Sequence, residues 1–167
     1  MPMEHFSILE AVEVAMMMEE EGIRFYALAE ERAADPEMKK LFAFLRDKEH
    51  QHIEVFRSLY GDLAAREGTP DAELWLLDAE ISSWFRAYVE STVFPAKGAA
   101  ERALAEVHGV VGILRLALQV EKDSILFYHE LLSHAPWPEA TELLEKIIAE
   151  ERRHLGFIRE KLRSLGE

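Results

Sequence analysis

Apolar and polar residues alternate with the period of an amphipathic helix over almost the whole chain. From residue 8 to residue 29, small and apolar side chains recur every three or four positions, which is the spacing of a helix that packs one face in a bundle. Ser7 and Glu10 form a capping-box pattern at the start of this segment. Asp35 and Pro36, an N-cap followed by a first-turn proline, predict the start of a second helix with the same period.

The second half of the chain has the same organisation as the first. A third bundle helix is predicted to begin near residue 108, and Pro138 begins a fourth. The short connections predict two antiparallel helix hairpins, over residues 7–66 and 108–165, joined by a long crossover over residues 69–107. This connectivity is that of a ferritin-like four-helix bundle, so we predict an all-α fold with residues 1–167 in one domain.

The crossover is predicted to carry an additional helix of its own. Thr69-Pro70-Asp71 is typical of a helix start, and Pro95 marks the end. A short helical piece is predicted to follow near residues 99–107. The crossover helix is rich in aromatic residues, namely Trp75, Trp84, Phe85 and Tyr88. Both packing on the bundle and a homodimer interface would account for them.

The two halves also repeat each other at an offset of 102 residues. Each half has one glutamate followed, 30 residues later, by a Glu-x-x-His pair. The residues concerned are Glu19, Glu49 and His52 in the first half and Glu121, Glu151 and His154 in the second. All six fall on the apolar rows of their helices, and the glutamates lie near mid-helix, so we expect them to converge in the core. Glu20, Glu21, Lys122 and Asp123 fall off these rows and are predicted to face solvent.

Such a cluster predicts a site for two metal ions. Residues at i and i+3 share a helix face, so each Glu-x-x-His pair can reach one ion or two adjacent ions. Two divalent cations would neutralise four carboxylates, whereas unpaired carboxylates are expensive to bury. We therefore expect Glu19 and Glu121 to bridge, Glu49 and Glu151 to be terminal or bridging, and one histidine to complete each ion. Without metal, some glutamates should hold protons with raised pKa values.

Composition narrows the kind of site and the partners. The 167 residues include no cysteine, which excludes thiolate and iron–sulfur centres in this polypeptide. The formal net charge is −13, which disfavours nucleic acid and favours cations. No apolar run is long enough to span a membrane, and no signal peptide is recognisable. We expect a cytoplasmic protein.

The segments around these residues resemble the rubrerythrin-related branch of the ferritin-like superfamily. The matching motifs are the helices around Glu19 and Glu121, each followed by a Phe-Tyr pair that ends in Tyr26 or Tyr128, and the two Glu-x-x-His pairs. The resemblance implies a non-haem di-iron oxidoreductase that reacts with O₂ or hydrogen peroxide and takes electrons from a donor in trans. We identify no catalytic group beyond the metal ligands.

Two departures from the family pattern matter. Rubrerythrins proper have a rubredoxin domain, which needs cysteines, and an additional glutamate where this chain has Ser124. Both departures put a rubrerythrin-type peroxidase reaction in question. Tyr26 and Tyr128 lie on the same helix rows as the ligands, which predicts either core packing or a hydrogen bond to a ligand carboxylate.

Two other functions agree with the same residues. One is non-enzymatic iron binding or storage, and the other is a structural protein in which the metal only holds the helices together. Glutamate and histidine also bind zinc and manganese, so a recombinant sample could carry either metal in place of iron.

Overall fold

Six α-helices make up the part of the chain that a computed structural model describes, residues 6–66 and 77–167. They are α1 (Ile8–Arg32), α2 (Pro36–Ala65), α3 (Ala79–Ser91), α4 (Ala99–Ala105), α5 (Gly109–Ser133) and α6 (Pro138–Ser164). The described residues contain no β-strand, which confirms the all-α prediction. None of these helices is both long enough and apolar enough to cross a membrane.

Local sequence signals set the starts of the first two helices. The Ser7 hydroxyl accepts a hydrogen bond from the Glu10 N–H at 3.1 Å, and the Glu10 carboxylate accepts one from the Ser7 N–H at 2.6 Å. The Asp35 carboxylate accepts a bond from the Glu37 N–H at 3.1 Å, one residue after Pro36. These side chains satisfy backbone donors that have no partner inside a helix, as the capping patterns predict.

The crossover helix α3 begins later than the sequence pattern predicts. Its first residue is Ala79, because the Asp78 carboxylate caps it by accepting a bond from the Ile81 N–H at 2.9 Å. The predicted start at residues 69–71, and Trp75, lie outside the described residues. Phe85 is buried in the bundle core, whereas Trp84 is 40% exposed. The homodimer interface stays a prediction.

The six predicted ligands divide the core into two apolar clusters. The first half of α1 and the second half of α2 pack in one cluster, which includes Val12, Met18 and Phe56. The second half of α1 and the first half of α2 pack in the other, which includes Phe25 and Phe42. The first half of α6 and the second half of α5 belong to the first cluster, and the remaining halves of these helices belong to the second. The ligands therefore form a polar layer at mid-height across all four bundle helices.

This distribution also gives the helix directions. Helices α1 and α6 start in one cluster and end in the other, and α2 and α5 run the opposite way. The chain leaving α2 must therefore travel the length of the bundle before α5 begins. That requirement explains why the two hairpins are joined by a long crossover, whose described part carries α3 and α4.

Two off-row carboxylates anchor the crossover, contrary to the prediction that they face solvent. Glu21 is 4% exposed and accepts bonds from the N–H groups of Gly98 and Ala100, at 3.0 and 2.9 Å. Its repeat mate Asp123 is 7% exposed and accepts a bond from the Val93 N–H at 2.8 Å. The prediction failed because the crossover covers this side of α1 and α5, so a residue off the bundle seam there is still buried.

Replacing Glu21 with alanine should lower the free energy of unfolding by roughly 1–3 kcal/mol, because two backbone donors lose their acceptor. Glu20→Ala, at the neighbouring and partly exposed position, should change stability by no more than about 0.5 kcal/mol. Urea unfolding of the two variants measures the difference. Equal stabilities would show that Glu21 does not anchor the crossover.

Candidate metal centre

The structure brings all six predicted side chains together in the bundle interior. Every one is buried, with Glu151 fully inaccessible and Glu49 the most exposed at 4%. The four glutamates sit at mid-helix on α1, α2, α5 and α6, where the antiparallel rods reach the same height. Apolar residues lie above and below them. The result is a compact, buried set of carboxylate and imidazole groups.

The six side chains form two overlapping groups, each of a size suited to one metal ion. In each group, one ligand atom from every member lies within 4.8 Å of the others. The first group combines Glu19 and His52 with Glu49 and Glu151, and the second combines Glu121 and His154 with the same two glutamates. The shared pair is therefore Glu49 and Glu151. This differs from the expectation that Glu19 and Glu121 bridge, because each of these belongs to only one group.

Both histidines turn Nδ1 toward Glu151, one of the two shared glutamates. The Nδ1 of His154 lies 2.9 Å from Glu151 Oε2, and that of His52 lies 3.2 Å from Glu151 Oε1. The two imidazole rings stack with their centroids 5.7 Å apart. Each Glu-x-x-His pair thus directs one carboxylate and one ring nitrogen to the same place, as the i, i+3 spacing requires.

Two buried tyrosines link the halves crosswise. The Tyr26 hydroxyl donates a hydrogen bond to Glu121 Oε1, and the Tyr128 hydroxyl donates one to Glu19 Oε1. Each tyrosine comes from one repeat and holds the unshared glutamate of the other. The bonds fix the carboxylates that belong to only one group, while a second oxygen of each remains available to an ion.

Glu150 breaks the symmetry of the two halves, and helical periodicity does not predict its contact with the cluster. Its carboxylate lies 3.2 Å from the Nε2 of His52. The repeat mate of Glu150 is Lys48, which cannot accept a proton from His154, and no described residue hydrogen-bonds the Nε2 of His154. A carboxylate on Nε2 holds the proton there and leaves Nδ1 free to bind a metal. Comparing positions 48 and 150 in the repeat would have revealed this difference.

A glycine beside Glu49 leaves room for the cluster. A Cβ atom added at Gly22 would lie 3.1 Å from Glu49 Oε2. The equivalent position in the second half is Ser124, which is buried. The resemblance implies a glutamate at this position, but Ser124 has no carboxylate. The described cluster therefore holds four glutamates and no fifth one.

The match to known proteins agrees with this geometry. Residues 4–60 and 112–167 match the rubrerythrin family model. The chain belongs to the rubrerythrin family. The matched segments include all six cluster residues and both tyrosines, and leave out the crossover.

A solved structure supports the same conclusion for the fold. The chain resembles a Thermotoga maritima protein provisionally described as a ferritin-like di-iron carboxylate protein, with 31% sequence identity and a TM-score of 0.73. The alignment covers 96% of this chain and 97% of that protein. No curated protein matches the chain. The ferritin-like fold and the rubrerythrin resemblance are therefore confirmed.

Unsatisfied polar atoms show that the cluster suits the metal ions typical of the rubrerythrin family. Among the described residues, five buried side-chain polar atoms have no hydrogen-bond partner, and four of them belong to the cluster. They are Glu19 Oε2, Glu49 Oε1, His52 Nδ1 and Glu151 Oε1, of which the last two face each other at 3.2 Å without forming a hydrogen bond. Leaving such atoms unpaired costs free energy. Cations placed between them would satisfy all four, so the donor set fits two metal ions.

The pKa values also indicate that ionised carboxylates are unfavourable in the cluster without metal. Burial, together with Glu19 and Glu151, raises the pKa of Glu49 well above its usual value. Burial and the charge of Glu151 raise the pKa of Glu121 to about 8. For Glu151, burial acts in the same direction, but His154 and His52 outweigh it and hold its pKa below the usual value. Protons take the place of cations when the cluster is empty.

The histidines carry the compensating positive charge. Burial would lower the pKa of His52, but the carboxylates of Glu151 and Glu19 raise it to about 11. Burial would also lower the pKa of His154, but the carboxylates of Glu121 and Glu151 raise it to about 9. Metal binding must therefore displace protons from both rings, which makes metal affinity depend on pH.

We expect the metal-free protein to lose stability as the pH rises from 6.5 to 8. The folded-state pKa of Glu121, about 8, lies above the unfolded value of roughly 4.3, so only the folded state holds this proton in that range. The folded-state pKa of His52, about 11, lies above its ordinary 6.5, so its contribution is complete below pH 6.5 and declines above it. Both groups therefore make the unfolding free energy fall with rising pH.

Urea unfolding of chelator-treated protein at several pH values measures this slope, which should approach roughly 1 kcal/mol per pH unit for each group. Glu121→Gln should remove the contribution of Glu121 and make the unfolding free energy depend less steeply on pH. Stability that rises over the same interval would contradict the assignment of these protons.

Proposed function

We propose that this protein binds two iron ions and uses them as an oxidoreductase that reacts with O₂ or hydrogen peroxide. The observation that carries the proposal is the pair of overlapping ligand groups with Glu49 and Glu151 in common. Two shared carboxylates keep two ions adjacent, and adjacency is what distinguishes a dinuclear site from two separate sites. The rubrerythrin-family membership supports iron as the metal.

Charge balance favours two divalent cations. The four glutamates contribute −4 when they are ionised, and two Fe²⁺ ions contribute +4. Neutral histidines then complete the ligand sets without adding charge. Among the described residues, the ion-pair partners of these glutamates are His52 and His154, so once both rings are neutral the cations alone balance the carboxylates. Buried charge that is paired in this way avoids the desolvation penalty of isolated carboxylates.

Bound iron would supply the exchange of electrons with an oxidant, which no side chain in the cluster can provide. The chain itself would supply geometry and protons. Glu49 and Glu151 would be the ligands common to both ions, and the hydroxyls of Tyr26 and Tyr128 hold the two unshared glutamates in place. The surrounding apolar clusters exclude water, which protects the site from competing reactions. His52, through Glu150, holds its proton on the outer ring nitrogen.

The electrons must reach the site from outside the sequence described. The 167 residues contain no cysteine, so none of them can form the iron–sulfur centre of a rubredoxin domain. We therefore propose an electron donor in trans. The absence of a glutamate at Ser124 distinguishes the site from that of rubrerythrins proper, so its preference between O₂ and peroxide has to be measured.

Stopped-flow spectroscopy of Fe²⁺-loaded protein tests the proposal. We expect two Fe²⁺ per chain and rapid oxidation by O₂ or H₂O₂, repeated for many cycles when a reductant is added. Oxidation that stops after two ions per chain would favour iron binding without turnover. Tight binding of zinc or manganese with no oxidation of iron would indicate a structural metal.

A Glu49→Gln variant sharpens this test, because glutamine resembles the protonated carboxyl that the metal-free protein favours at this position. The variant should fold normally, yet its metal affinity should fall by about 100-fold or more, beyond the roughly 10–100-fold typical of residues that only support a ligand. Glu20→Gln, at an exposed position of α1 next to the ligand Glu19, is the control and should retain two ions. Full metal content in Glu49→Gln would refute the role of Glu49.

Glu150 should make the affinities of the protein for the two ions unequal. In Glu150→Gln, His52 loses the carboxylate on its outer nitrogen, so the affinity for one ion should fall about 10–100-fold while the other ion is unaffected. Lys48→Gln alters a neighbouring charge, 3.8 Å from Glu150, without removing that bond and serves as the control. Calorimetric titration with Zn²⁺ resolves the two affinities. An equal fall in both, or in neither, would contradict the proposed asymmetry.

A further inference from the structure

One surface of this acidic protein carries mainly positive charge. A groove of about 280 Å³ runs between the outer faces of α5 and α6, and its sides are formed by Arg115, Lys122, Arg159 and Arg163. We call these four residues and the groove between them the basic groove. The chain has 19 lysines and arginines against 32 aspartates and glutamates. Among the residues that line the groove, the one carboxylate is Glu167, which pairs with Arg115.

The charges of the basic groove are largely uncompensated. No carboxylate of the described residues lies within ion-pair distance of Lys122, Arg159 or Arg163. Other surface lysines have such partners, as Lys40 and Lys146 do with glutamates 2.8 Å away. Uncompensated cations on a protein of net charge −13 create a local field that attracts an anionic surface.

The floor of the groove is apolar, and one end of the groove is level with the metal cluster. Leu155 lines the groove and follows His154 in the chain, and Lys122 follows Glu121. The groove surface and the cluster are therefore separated by about one helix diameter, roughly 10–12 Å. An apolar floor with a charged rim is the usual arrangement of a protein-docking surface.

The spacing of the cations favours an extended partner over a small anion. Arg115 and Lys122 are seven residues apart on α5, which is about 10 Å along the helix. All four side chains are exposed, so they do not close around a single buried ligand. A long polyanion such as nucleic acid would meet repulsion from the rest of the surface, whereas a compact acidic protein could contact the groove alone.

We propose that the basic groove docks an acidic one-electron carrier protein, the donor that reduces the metal centre. This inference rests on the proposed oxidoreductase function. Each docked carrier loses one electron and one Fe³⁺ gains it, so two carriers are oxidised for each pair of Fe³⁺ returned to Fe²⁺. The protein thus obtains its reducing electrons through the α5–α6 face.

A double charge reversal, Lys122→Glu with Arg159→Glu, tests the docking surface. The probe is a reduced, strongly acidic rubredoxin, and the readout is its second-order rate of oxidation by the Fe³⁺-loaded protein in stopped flow. At low ionic strength the rate should fall at least about tenfold, and the wild-type rate should fall steeply with added salt. Lys39→Glu with Lys146→Glu changes the net charge equally on other surfaces and should leave the rate nearly unchanged.

Two further measurements separate the possible failures. Reduction by dithionite, a small reductant, should proceed equally in all variants, which shows that the metal site is intact. Calorimetric binding of oxidised rubredoxin tests the groove even if the protein proves unreactive toward O₂ and peroxide. Equal rubredoxin rates and equal binding in wild type and the groove variant would overturn the proposal. So would complete inhibition by inorganic phosphate at constant ionic strength, which would indicate a small-anion site.

Discussion

Four carboxylates in an apolar interior impose the main constraint on this fold. Each would be costly to bury alone, and together they repel one another unless cations or protons intervene. The raised pKa values of Glu49 and Glu121 record that cost in the metal-free state. The helices hold the carboxylates there nonetheless, because apolar clusters above and below the layer drive their association.

The same constraint accounts for the polar residues that surround the cluster. Tyr26 and Tyr128 satisfy one oxygen of the glutamates that belong to a single ligand group. Glu150 orients one histidine but has no counterpart for the other. The backbone is thus nearly symmetric, while the charge around the two ion positions differs.

Helical periodicity and the internal repeat were enough to predict the fold and the convergence of the six side chains. Both depend on spacing along the sequence, which a helix converts directly into position in space. The periodicity could not identify the shared carboxylates, because sharing depends on helix rotation and side-chain torsions. It also placed Glu21 and Asp123 in solvent, because it divides each helix into a core face and a solvent face. The crossover covers part of the face that would otherwise be exposed. The Asp78 cap sets the start of α3. The apolar and aromatic pattern extends to earlier residues, so it did not identify this cap.

The sharing of Glu49 and Glu151 has a consequence for how the protein matures. Each ligand group takes three members from one hairpin and one from the other, and these members are about a hundred residues apart in sequence. A lone hairpin, during synthesis or after partial unfolding, therefore offers three of the four ligands of one group and lacks the carboxylate that the other hairpin contributes. The two complete ligand groups exist only when both hairpins have docked, so the binding of two ions reports that this long-range assembly is complete.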